Sequence, residues 1–100
     1  MDMETQVNVM DAFVASATAC IDTGDAGRFA DVLEDVQSAY DERILDVERG
    51  EIAFLLARLW DVVDLDGDQE VKAARWSIGR VADLTQRLRT AAADVPQHLP

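Results

Sequence analysis

The chain has one hundred residues, 49% of them apolar, with twenty acidic and nine basic side chains and a net charge of −11. It is large enough to bury one core and too apolar for a disordered acidic segment, and its single cysteine excludes an internal disulfide or a multi-cysteine metal site. The only prolines are Pro96 and Pro100, and the alternating β-branched runs and paired turn residues of a sheet protein are missing, so an all-α fold is expected.

The first helix is predicted over residues 3–21. Met3, Val7, Met10, Val14, Ala17 and Ile21 recur at steps of three and four, and Val9, Phe13 and Cys20 widen one edge of the stripe. Cys20 near this core face reads as a buried thiol, since its neighbours Ala19, Ile21 and Asp22 supply no activating base or cation. Asp22-Thr23-Gly24-Asp25 is a stop followed by a fresh cap: glycine suits a left-handed C-terminal position, and Thr23 or Asp25 can cap the next helix.

The second helix is predicted over 26–48, with Phe29, Leu33, Val36, Tyr40, Ile44 and Val47 inward. Its outer face carries an acidic row that includes Asp31, Glu34, Asp35, Glu42 and Asp46, and Leu45 falls on that acidic side. Arg49-Gly50 marks a break, because the apolar register resumes one residue late at Ile52.

The third helix, over 51–64, is the most apolar. Ile52, Leu55, Leu56, Leu59, Val62 and Val63 fill an arc of roughly 120°, which Trp60 and Ala53 widen, implying neighbours on two sides. Phe54 sits within the polar strip of Glu51, Arg58, Asp61 and Asp64. Leu65-Asp66-Gly67-Asp68 then stops one helix and starts another.

The fourth helix, over 69–94, turns Val71, Ala74, Ile78, Val81, Leu84, Leu88, Ala92 and Val95 toward the core, and residues 96–100 are expected to form a flexible tail. Charge divides here. Residues 1–68 hold seventeen acids and four bases; residues 69–100 hold three acids and five bases. The basic helix is therefore expected to lie among acidic ones. Four amphipathic segments with short links predict a compact four-helix bundle, or paired helical hairpins, forming one helical domain over 1–95.

Three functional signals compete. Asp64, Asp66 and Asp68 resemble the opening of an EF-hand calcium loop, with acids at its first, third and fifth positions. Gln69 replaces the glycine that the loop needs, however, and Arg75 replaces its bidentate glutamate, so a degenerate calcium module is the weakest reading and a capped turn is preferred. The acidic row of the second helix suggests an inhibitor that mimics nucleic acid toward a basic protein, while the net charge argues against nucleic acid itself as a partner.

The favoured signal is Trp76 on the polar face of the fourth helix, with Lys72 and Arg80 four residues to either side and Arg87 beyond. Phe54 and Leu45 are further apolar residues off the core face. Trp and Arg are the commonest binding anchors, so these residues predict a non-enzymatic adaptor or regulator that binds another protein or a second copy of itself. No catalytic constellation or cofactor motif is found, and His98 lies in the tail. No run of about eighteen apolar residues predicts a membrane span, and the cytoplasm is the simplest compartment.

Overall fold

A computed structural model describes residues 1–94; Val95, the proline stop at Pro96 and the expected tail over 96–100 lie outside the described residues. The chain is a compact all-α bundle of four helices: α1 (Met3–Thr23), α2 (Ala26–Asp41), α3 (Arg49–Asp61) and α4 (Gly67–Asp94). Each helix packs closely on its neighbours in the order α1–α2–α3–α4 and α4 returns to α1, while the backbones of the diagonal pairs α1–α3 and α2–α4 stay farther apart. The two faces α1–α2 and α3–α4 are thus on opposite sides of the bundle. Among the described residues no helix is long and apolar enough to cross a membrane.

Local chemistry sets most of the boundaries. The Asp2 carboxylate accepts the Thr5 backbone N–H at 2.7 Å and starts α1, and those Thr5 hydrogen bonds hold Asp2 below the usual carboxylate range. At the other end Gly24 adopts φ 70°, and the N–H groups of Gly24 and Asp25 bond the carbonyls of Ile21 and Cys20. That left-handed turn suits glycine. The Asp25 side chain then caps α2 by accepting the Arg28 N–H at 3.1 Å.

The inner face of α1 is formed by Val7, Met10, Phe13, Ala17, Cys20 and Ile21. It is turned toward the Phe13/Cys20 edge relative to the predicted stripe: Val14 is half-buried, and Met3 and Val9 are exposed. Cys20 is buried, and desolvation raises its thiol pKa above the ordinary value. In α4 the core residues are Ala74, Ile78, Val81 and Leu84, joined by buried Thr85, whose hydroxyl donates to the Val81 carbonyl at 2.8 Å. Ala92, expected inside, is exposed.

The largest departure from expectation is the end of α2. The helix stops at Asp41, not at residue 48, and the chain turns through residues 42–48. Arg43 takes a left-handed φ of 61°, and the N–H groups of Arg43 and Ile44 bond back to the carbonyls of Tyr40 and Ala39. Turning here reverses the roles of two apolar residues: Leu45 is fully buried, whereas Ile44, expected inside, is 45% exposed.

Distant side chains hold this turn. The Gln6 side-chain Oε1 accepts the N–H groups of Asp46 (2.8 Å) and Val47 (3.2 Å), the Tyr40 hydroxyl donates to the Val47 backbone carbonyl (2.7 Å), and the Arg49 guanidinium donates to the Tyr40 backbone carbonyl (2.6 Å). The Gln6 and Tyr40 bonds satisfy backbone groups of the turn, and the Arg49 bond adds a second donor to the Tyr40 carbonyl that the Arg43 N–H already reaches. Helix α3 correspondingly begins at Arg49 and ends at Asp61, so Val62 and Val63 lie half-buried in the following turn instead of in the helix.

The basic helix lies beside one acidic helix, α1, and beside α3, in which Arg49 and Arg58 balance Glu51 and Asp61; the expectation of acidic helices on both sides holds only for α1. Arg75 pairs with Asp22 of α1 at 2.8 Å, Arg89 with Asp11 of α1, and Arg80 with Glu51 of α3 at 3.5 Å. All three pairs are solvent-accessible, so each contributes about 0–1 kcal/mol.

Candidate interaction face on helices α3 and α4

Six aromatic residues are present. Phe13, Phe29 and Tyr40 are buried and Trp60 is half-buried, but Phe54 and Trp76 are 59% and 54% exposed. Both lie on the α3–α4 side. The inward face of α3 is taken by Ile52, Leu55, Leu56 and Leu59, which leaves Phe54 outside; in α4 the inward face is Ala74, Ile78 and Val81, which leaves Trp76 outside.

Arg58 joins the two rings. It stands one turn after Phe54 on α3, and its guanidinium lies 5.8 Å from the Phe54 centroid and 5.3 Å from the Trp76 centroid. Both distances are within cation–π range. The result is a ridge in which a planar cation bridges two exposed rings across the helix pair. Arg58 was legible in the sequence only as a member of the polar strip of α3. Its spacing of four from Phe54 is the signal that links those two, and nothing local links it to Trp76.

The remaining predicted site residues divide. Lys72, one turn before Trp76, is exposed and has no ion pair among the described residues, and the same holds for Arg58. Arg80, one turn after Trp76, is half-buried and held by Glu51 and by Asp83 at 4.0 Å. Arg87 is exposed on the same side of α4, three turns further along. Leu45 does not belong to the face. It is a core residue, because the turn after Asp41 swings it inward.

The two other signals gain no site. Asp64, Asp66 and Asp68 are all exposed, and among the described residues no group of three or more His, Cys, Asp or Glu is placed to hold a metal ion. Their turn is closed within the protein, with Leu65 at φ 49°, Gly67 at φ 83°, and the Glu70 carboxylate accepting the Asp66 N–H at 3.1 Å. The acidic row predicted on one long helix is interrupted, since Glu42 and Asp46 fall in the 42–48 turn. There Asp46 pairs with Arg49 at 2.9 Å, and the hydrogen bond from Arg49 holds its carboxyl below the ordinary range. Asp31, Glu34 and Asp35 remain exposed on α2.

Comparison with protein-family models, with curated proteins and with solved structures finds no match for this chain.

Proposed function

We propose that the chain is a non-enzymatic protein–protein interaction module whose α3–α4 face, centred on Trp76, Arg58 and Phe54, docks another protein chain. The observation that carries this reading is the pair of large aromatics left more than half exposed, with an arginine stacked between them, in a protein that buries or half-buries its other four aromatic residues. Isolated exposed apolar residues are ordinary, but two rings and a guanidinium forming one ridge match the composition of binding anchors. Arg58 is already oriented by the rings, so little of its rotamer freedom remains to be lost on docking.

The test is affinity capture with wild type and Trp76→Ala baits, each checked by thermal melting. Trp76→Ala should weaken binding by at least about 2 kcal/mol, roughly 30-fold, while the melting temperature stays near that of wild type. Moderate salt should weaken wild-type binding only slightly, because two aromatic rings supply most of the anchor's area and the arginine between them is a single charge. An early-melting variant whose captured protein is retained would make Trp76 a structural residue and end this reading.

A further inference from the structure

A second surface feature complements the ridge. On the opposite side of the bundle, α1 and α2 leave an apolar groove of about 210 Å³, lined by Val9, Phe13, Val32 and Val36, with Asp35 at its edge. Drug-sized ligands occupy pockets from roughly 300 Å³ upward, so this space suits a side chain more than a cofactor. Val9 is exposed at its rim, and Asp31, one turn before Asp35 on α2, is exposed as well. Neither Asp31 nor Asp35 has an ion pair among the described residues.

Resting on the interaction-face reading, we infer that the partner is a second copy of this chain joined head to tail, with Trp76 of one molecule seated in the α1–α2 groove of the next and Arg58 and Phe54 packed beside it. Charge selects this pairing. Ridge against groove sets the unpaired Arg58 and Lys72 against the unpaired Asp31 and Asp35. Ridge against ridge would set Arg58 and Lys72 against their own copies, relieved only in part by Asp61 beside Arg58, and groove against groove would oppose two sets of carboxylates in molecules of net charge −11.

Geometry then determines the kind of assembly. The two surfaces lie on opposite sides of the bundle, so a dimer leaves one ridge and one groove free, and the contact is heterologous. The surfaces also sit at different heights. Arg75, next to Trp76, pairs with Asp22, whereas Phe13 and Val9 lie nine and thirteen residues earlier in α1, roughly 14–20 Å along its axis. Repeated between parallel molecules, a contact with that offset climbs along the bundle axis at every step, so the series grows as an open filament instead of closing into a ring.

Sedimentation and light scattering across protein concentration provide the test, using Trp76→Glu to disable the ridge and Val9→Glu to disable the groove, with helicity confirmed by circular dichroism. Wild type should form a mass series that lengthens with concentration, and each variant alone should be a monomer. An equimolar mixture of the two should stop at a heterodimer, because it retains one intact ridge and one intact groove. Asp35→Lys, a substitution of an exposed residue, serves as a second groove variant and should shorten the series if Val9→Glu fails to fold.

Wild type that stays monomeric at every concentration overturns head-to-tail assembly while leaving the interaction face to the Trp76→Ala capture experiment. A closed dimer abolished by Trp76→Glu but untouched by both groove variants also overturns it, and points to a symmetric ridge contact.

Discussion

Tyr40 shows how one side chain ties packing to solution behaviour. Its ring is buried, its hydroxyl donates to the Val47 carbonyl at 2.7 Å and lies 3.8 Å from the Met10 sulfur, and Arg49 stands 5.6 Å from the ring centroid. Burial pushes its pKa up to about 12, with the nearby Arg49 charge opposing the shift. The folded state thus holds the phenolic proton more tightly than the unfolded chain, where the value is about 10. The associated stability is fully present below about pH 10 and is lost as pH rises toward 12, on the order of 2–3 kcal/mol in total. Tyr40 is the only tyrosine, so phenolate absorbance reports it without overlap. That absorbance should stay low past pH 10 and rise together with the loss of helicity. Tyr40→Phe should remove this tyrosine-linked part of the alkaline loss, at a cost of about 1 kcal/mol at neutral pH from the missing hydrogen bond to Val47. A phenolate that titrates near pH 10 in the folded protein would contradict the burial argument.

At the scale of the element, the α2–α3 turn separates what local sequence can show from what it cannot. The stop at Gly24 was legible because glycine, flanking aspartates and a change of register coincide within four residues. The stop at Asp41 was not, because Asp41-Glu42-Arg43-Ile44-Leu45 contains neither glycine nor proline and continues a helical stripe. What ends the helix comes from elsewhere: Gln6, forty residues away, supplies the oxygen that accepts two N–H groups of the turn, and the core accepts Leu45. Tertiary contacts thereby override a local preference for helix. The candidate face follows the same division. Phe54 and Trp76 could be placed outside by helical phase alone, whereas the Arg58 bridge needs α3 against α4, and Leu45 was misplaced with the helix end. The turn also gives a prediction. Arg43 holds a φ of 61°, a conformation that costs L-residues roughly 1–2 kcal/mol and that glycine adopts freely. Arg43→Gly should therefore raise stability by up to about 1 kcal/mol, a few degrees in melting temperature, with the added entropy of the unfolded glycine chain offsetting part of the gain. A lowered melting temperature would show that the Arg43 side chain outweighs its backbone strain.

For the whole molecule, the question is whether charge stabilises or strains the bundle. Attraction is concentrated in α4, where Arg75, Arg80 and Arg89 reach acids on α1 and α3, with their side chains 35–49% exposed. Repulsion is spread over the rest, where acids outnumber bases by thirteen before residue 69. Exposed pairs contribute about 0–1 kcal/mol each and weaken in salt, but long-range repulsion among the excess carboxylates weakens in salt as well. With a net charge of −11 the repulsive pairs outnumber the attractive ones, so screening should favour the folded state. Melting temperature should therefore rise as sodium chloride increases from about 0.01 M to about 0.5 M, over which the Debye length shrinks from about 30 Å to roughly 4 Å. The measurement belongs on Trp76→Glu, so that any change in self-association is kept out of the melting curve. A melting temperature that falls with salt would mean that the three inter-helix pairs of α4 outweigh the acidic surface. The bundle would then owe its arrangement to the basic helix as much as to its core.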